Sequence, residues 1–121
     1  MKLDWDCIRA ILIALEDKPA PGSALDPANV GHWGAEDTSW HMLRLREAGC
    51  IEAIRFERPG VPVRTMATDL TADGYELLGN LRSKELWLRV CNEARWKGLE
   101  LTFGTVRAIA QAVIAAMLTG R

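Results

Sequence analysis

Near the start of the chain, apolar side chains recur every three or four residues, which is the spacing of one helix face. They predict a first helix over residues 3–17, with an inward face of Trp5, Ile8, Ile11, Leu12 and Leu15. Asp4 and Asp6 suit the positive N-terminal end of that helix. The segment KPAPGSALDP, with three prolines and a glycine, then ends it. The sequence up to Gly34 predicts a loop, with a short strand at residues 28–32.

A second amphipathic pattern covers AEDTSWHMLRLREAG, residues 35–49, where two faces compete for burial. One face consists of Thr38, His41, Met42, Leu45 and Ala48, and the other of Trp40, Leu43, Arg44 and Glu47. The ending LREAGCI favours burial of the first face. Its leucine, glycine and isoleucine repeat the pattern of a helix that turns through a left-handed glycine into a strand on the same core. Trp40 and Leu43 are then left exposed beside Arg44, and large exposed apolar side chains indicate a contact surface.

Two strands are predicted at residues 50–58 and 63–70, joined by the turn PGVP. Thr71 then suits the N-cap of a third helix over residues 72–81, in which Gly74 indicates the close approach of a neighbouring element. Ser83 is expected to cap a fourth helix that extends to about residue 97. A fifth helix is predicted at residues 102–118. The predicted core includes Ile8, Leu12, Leu45, Ile51, Leu70, Leu78 and Trp87.

The order of these elements is that of a winged helix-turn-helix domain, in which the hairpin forms the wing. The sequence LTADGYELL after the hairpin supports this interpretation. A complete motif has a further helix before the second one, but residues 21–34 carry only loop residues. We therefore expect an α+β, degenerate winged helix-turn-helix-like fold with additional C-terminal helices. Residues 1–81 are expected to form the winged-helix-like core, and residues 82–121 a helical extension of the same single domain.

The whole chain also resembles a family known as domain of unknown function 2513, whose members occur in phages and prophages. The resemblance rests on KLDWDCIRAIL at the start, SWHMLRLREAGCIEA in the middle, LTADGYELL after the hairpin, and the helix that contains Trp87. It covers nearly all of the 121 residues. It implies a small phage-associated cytoplasmic protein with a winged-helix-like core, and it implies no activity, substrate or catalytic residue.

The charge distribution bears on the kind of partner. The chain is 49% hydrophobic and 26% charged with a net charge of −1, which argues against a general nucleic-acid coat. Every cation between residues 19 and 83 is nevertheless an arginine, a residue that binds phosphate or carboxylate through two parallel hydrogen bonds. These are Arg44, Arg46, Arg55, Arg58, Arg64 and Arg82. Acidic residues are interleaved with them, so a balanced solvated surface is the alternative interpretation.

Location is predicted to be the cytoplasm of a bacterial host cell. Asp4 and Asp6 stand where the cationic part of a signal peptide would lie. The longest apolar stretch, residues 108–118, is too short to span a bilayer, so no membrane partner is expected. Three widely spaced cysteines predict reduced core thiols: Cys7, Cys50 and Cys91.

Metal binding and catalysis are both disfavoured by the sequence. His32, His41 and Cys50 lie nine residues apart, whereas zinc ligands usually come in close pairs. His41 also falls on the inward face of the second helix, where a core histidine bonded to backbone is expected. Nucleophile, phosphate-binding and dinucleotide motifs are not found in the sequence. We therefore expect no cofactor, no metal and no enzymatic activity.

Two functions remain open from the sequence. In a DNA-binding transcriptional regulator, the second helix would face the major groove and the wing arginines would hold phosphates. The residues expected to bind are Ser39, Trp40, Leu43, Arg44, Glu47, Arg55, Arg58 and Arg64. The alternative is a phage effector that binds and inhibits a host protein through the same surface, since an exposed tryptophan beside arginines is typical of an interface hot spot.

The fifth helix carries an apolar stripe that predicts a homodimer. Its seam would consist of Val106, Ala110, Val113 and Met117. The alternative is that the same stripe closes the core of the monomer, because a single amphipathic stripe fits either use.

Overall fold

The computed structural model describes residues 2–120, which form five α-helices and one two-stranded antiparallel hairpin, an α+β arrangement. The helices are α1 (Trp5–Asp17), α2 (Ala35–Glu47), α3 (Ala72–Arg82), α4 (Lys84–Trp96) and α5 (Phe103–Leu118). The strands are β1 (Ile51–Arg58) and β2 (Val61–Leu70), and a single 3-10 turn covers Pro27–Asn29. The chain divides into two compact units, the first ending at Leu78 and the second beginning at Gly79. Within residues 2–120, no helix is long and apolar enough to cross a membrane.

Helix α1 begins at Trp5 rather than at residue 3, because Asp4 is its N-cap. Asp4 has an extended backbone, and its carboxylate accepts hydrogen bonds from the amides of Asp6 and Cys7. The predicted apolar face is confirmed for four of its five residues, since Trp5 is only partly buried. The buried side chains of the helix are Cys7, Ile8, Ile11, Leu12 and Leu15.

The segment before α2 differs from the prediction, because residues 28–32 form no strand. Pro27 instead starts the 3-10 turn, and the Asp26 carboxylate caps it by accepting from the Ala28 amide at 2.9 Å. The extended contact lies earlier, where the Leu25 amide donates to the Ala67 carbonyl of β2 at 2.8 Å. A proline and a capping aspartate favour a helical turn over a strand at this point.

Helix α2 has the predicted register. Thr38, His41, Met42 and Leu45 are buried, with at most 3% of their surface exposed. Gly49 follows the helix with φ +78°, the left-handed conformation that lets the chain turn into β1. Ala48 is exposed, so its predicted burial was wrong.

His41 is a core histidine bonded to backbone, as expected. Its Nε2 accepts from the Asp4 amide at 2.9 Å, and its Nδ1 lies 2.7 Å from the Asp37 carbonyl, so Nδ1 carries the proton. The indole of Trp33 also donates to the Asp4 carboxylate at 3.0 Å. Burial alone would raise the pKa of Asp4, but the hydrogen bonds from the Cys7 amide, Trp33 and the Asp6 amide outweigh it and lower this pKa. These contacts tie the start of α1 to α2.

The hairpin reverses over two residues, Pro59 and Gly60, rather than over the predicted four. Gly60 has φ +75°, which permits the tight turn, and Arg58 pairs directly with Val61. Strand β2 therefore begins two residues earlier than predicted and includes Pro62.

The start of α3 packs against the turn between α2 and β1 through contacts with the backbone of that turn. The Thr71 hydroxyl donates to the Gly49 carbonyl at 2.6 Å and accepts from the Gly74 amide at 3.1 Å. The Thr71 amide donates to the Cys50 carbonyl at 3.1 Å. A Cβ at Gly74 would overlap that same carbonyl oxygen, so the predicted close approach at this glycine is confirmed.

Helices α4 and α5 form a helical hairpin with hydroxyl caps at Ser83 and Thr102. Its buried side chains are Leu86, Val90, Ala94, Val106, Ile109, Ala110 and Val113. Three of the four residues in the predicted dimer seam are thus buried within the single chain, so the stripe closes the monomer core and the seam was wrong. Met117 is 43% exposed. The predicted core is otherwise confirmed, except that Leu70 and Trp87 are only partly buried.

The cysteines are free thiols, and two of them are buried as expected. Burial raises the pKa of Cys7 to about 11, so this thiol stays protonated at neutral pH. Burial also raises the pKa of the partly buried Cys91.

Candidate binding site between helix α2 and the hairpin

A groove of about 410 Å³ lies between α2 and the hairpin, within the first unit. Helix α2 forms one wall and both strands contribute to the other. The lining residues are Glu36, Ser39, Trp40, Leu43, Arg46, Arg55, Pro62, Val63, Arg64 and Thr65. Five of the eight residues predicted to bind are among them.

Ser39 holds the two walls together. It is 8% exposed, and its hydroxyl accepts a hydrogen bond from the Thr65 amide at 2.8 Å. The predicted contact of Ser39 with a partner stays a prediction, and in the free protein its hydroxyl oxygen bonds the hairpin. The bond fixes α2 and β2 relative to each other, so helix and hairpin present one surface.

Trp40 and Leu43 are partly buried rather than exposed as predicted. The hairpin residues Pro62 and Val63 line the same groove. Val63 itself is 50% exposed. The groove therefore has an apolar lining that is open to solvent on one side.

Arginines surround this apolar lining. Arg46 comes from the last turn of α2, Arg55 from β1 and Arg64 from β2. Arg55 pairs with Glu57 across 2.8 Å, in a pair that is largely exposed. Among the residues described here, Arg46 and Arg64 form no ion pair, and the buried Nε of Arg64 has no hydrogen-bond partner. Glu36 is the one acid that lines the groove.

Arg44 and Glu47 lie on α2 outside the groove. Their side chains pair across 2.9 Å, and the Arg44 guanidinium lies 5.3 Å from the centre of the Trp40 ring. This cation–π contact supports the orientation of the indole. Arg58 also lies outside the groove, and its guanidinium is 5.1 Å from the centre of the Phe56 ring near the turn of the hairpin.

Comparison with known proteins places the chain in a family. Residues 2–100 match the family described as "Hypothetical protein (DUF2513)". The chain belongs to the DUF2513 family. It is also similar to a Haemophilus influenzae protein named "Uncharacterized protein", with 33% identity over 118 residues that cover 98% of this chain and 99% of the relative. No solved structure gives a significant match.

In this DUF2513 protein, four residues of the groove lining that matter to its chemistry are not among the binding residues predicted from the sequence: Glu36, Arg46, Pro62 and Val63. Glu36, Trp40 and Leu43 follow the spacing i, i+4, i+7, so they share one face of α2. That periodicity could have indicated Glu36. Pro62 and Val63 join the groove only because β2 starts early and lies beside α2, which no local pattern signals.

The groups that line the groove are suited to recognition of a partner. Arginines donate to phosphate or carboxylate, and the indole with its aliphatic neighbours suits an apolar or aromatic group. Within residues 2–120, no group of three or more His, Cys, Asp or Glu side chains is placed to hold a metal ion.

Proposed function

We propose that this protein is a DNA-binding transcriptional regulator whose first unit acts as a winged helix. The observation that carries the proposal is the pairing of Leu25 with Ala67 of β2. It supplies a short third extended segment beside the hairpin, after α1 and before α2. The 3-10 turn Pro27–Asn29 stands where a complete motif has the helix that precedes the recognition helix, and this order supports a degenerate winged helix.

In this proposal α2 enters the major groove, and the hairpin lies along the sugar–phosphate backbone. Arg58 near the turn and Arg64 in β2 would hold the phosphates, and the lack of an ion pair at either residue among those described supports this role. The bond between Ser39 and Thr65 supports the proposal, because it keeps helix and wing in one fixed geometry for the duplex.

The test is fluorescence anisotropy of a labelled duplex, titrated with protein at several salt concentrations. Arg58→Ala and Arg64→Ala should each weaken binding uniformly across sequences and reduce the slope of log K against log salt by about 1. The matched control is Arg95→Ala, an exposed arginine of α4 outside the first unit. Equal slopes for the wild type and both hairpin variants would contradict the proposed phosphate contacts.

Protein binding is the second candidate, in the form of a phage effector that acts on a host protein. The groove favours it, because a partly buried tryptophan with Leu43 and Val63 offers an apolar pocket for an anchor residue. Glu36 and Asp37 in the first turn of α2 also weigh against phosphates near the helix start.

A pull-down from host lysate separates the two functions: capture that survives nuclease favours protein, and capture lost with nuclease favours DNA. In that assay Trp40→Ala should abolish nuclease-resistant capture, whereas Arg58→Ala should not.

A further inference from the structure

Helix α5 is apolar on nearly every face. Its sequence FGTVRAIAQAVIAAML contains one charged residue, Arg107, and an apolar helix of this kind is normally covered all round. One face is buried within the chain, but Ala108 and Ala112 are exposed, as is 83% of Leu118. The outer face of α5 therefore lacks the cover that its composition indicates.

A groove of about 750 Å³ opens beside this face, between α4 and α5 and wholly within the second unit. Ala108, Ala112 and Ala116 recur every four residues along its α5 wall. Trp96 stands on the α4 wall and is 86% exposed, the most exposed of the large apolar side chains in the described chain. Alanines allow another helix to approach closely, and an exposed indole is suited to be its anchor.

Charges along α4 indicate what could occupy the groove. Arg89, Glu93 and Lys97 follow at intervals of four residues on the groove side, in the order positive, negative, positive. A partner of uniform charge would be repelled by part of this row. A second copy is complementary when its α4 lies antiparallel about a two-fold axis that passes between residues 89 and 93, because Arg89 of each copy then lies opposite Glu93 of the other. Glu93 and Lys97 are 3.9 Å apart and remain about half exposed, so their mutual contact does not hide the row.

We propose that the groove between α4 and α5 is the interface of a homodimer, in which two helical hairpins pack into a four-helix bundle. This interface uses the outer face of α5, not the stripe that is buried within the chain. The proposal does not depend on the function proposed for the first unit. A dimer would carry two copies of the α2–hairpin groove, and a two-fold arrangement of that kind suits a symmetric target.

The experiment is light scattering coupled to gel filtration over a hundredfold range of protein concentration. The wild type should have twice the 13.4 kDa mass of the chain at the upper end of the range. Ala112→Arg places a charge in the groove, and Trp96→Ala removes the anchor, so each should raise the dimer dissociation constant at least tenfold. The matched control is Gln111→Arg, an exposed position of α5 that does not line the groove, and it should leave the constant unchanged. Circular dichroism checks that each variant is folded.

A charge exchange tests the two-fold pairing itself. Arg89→Glu and Glu93→Arg should each weaken the dimer, and the double variant should recover most of the loss, because the opposite charges face each other again. A wild-type monomer at every concentration would overturn the proposal, and so would a dimer that Ala112→Arg leaves intact. Neither result would bear on DNA binding, which the hairpin arginine variants test separately.

Discussion

Replacement of Gly74 by alanine tests the packing that joins α3 to the turn between α2 and β1. The added Cβ would overlap the carbonyl oxygen of Cys50, which is backbone and cannot rotate away. Either α3 or the Cys50 peptide must move, and the hydrogen bond from the Thr71 amide to that oxygen, 3.1 Å long, is then strained or lost.

Three contributions set the size of the effect. Overpacking costs about 1–3 kcal/mol, and a lost hydrogen bond costs about 1 kcal/mol. Alanine is a better helix former than glycine and offsets about 1 kcal/mol. We therefore expect Gly74→Ala to lower the free energy of unfolding by about 1–3 kcal/mol, which corresponds to a melting temperature about 4–12 °C lower.

The matched control is Gly79→Ala in the same helix. A Cβ at Gly79 would have no atom within 4 Å, so only the helix propensity changes, and the variant should gain about 0.5–1 kcal/mol. Urea unfolding followed by circular dichroism measures both variants. If Gly74→Ala were as stable as Gly79→Ala, the close contact with Cys50 described here would be wrong.

Three further predictions concern α2 and its surroundings. Ser39→Ala should cost about 1–3 kcal/mol in urea unfolding, because the Thr65 amide loses its acceptor inside the protein; an unchanged midpoint would mean that the bond does not hold the hairpin. Trp40→Ala should cost about 1–2 kcal/mol, since the partly buried indole contributes some of its burial energy; a change near zero would mean that the indole is exposed, as the sequence predicts. Asp4 has a lowered pKa in the folded state, so its carboxylate stabilises the protein above the unfolded pKa and ceases to do so as pH falls through the folded value. The stability difference between wild type and Asp4→Asn should therefore be largest at neutral pH and shrink below about pH 4; a difference that grows with acid would contradict this sign.

The sequence predicts those elements whose signals are local. The register of α2 follows from LREAGCI, because a left-handed glycine after a helix dictates which side chains the next strand buries. The hydroxyl caps at Thr71 and Ser83 are short-range as well, and both are present. The close contact at Gly74 could be predicted because glycine is otherwise unfavourable in a helix.

The features of the structure that the sequence did not predict depend on contacts between distant segments. Trp40 lines its groove together with Pro62, more than twenty residues away, and no periodicity in α2 encodes that. The hydrogen bond between Ser39 and Thr65 also joins distant segments, so no local pattern indicates it. The stripe of α5 had two equally suitable uses in the sequence, and only the three-dimensional packing decides that Val106 and Ala110 belong to the monomer core.

The most direct test of the proposed function is a nuclear magnetic resonance titration of the labelled protein with a duplex of random sequence. We expect the largest chemical-shift changes at the Trp40 indole and at the amides of Arg58 and Arg64, and no change at the amides of α4. These residues lie on one fixed surface of helix and hairpin, so they should shift together and with the same apparent affinity. DNA binding by α2 and the hairpin would be contradicted if no chemical shift changed at protein concentrations up to about 1 mM, which is beyond the range of nonspecific DNA binding. Shift changes confined to the second unit would contradict it as well.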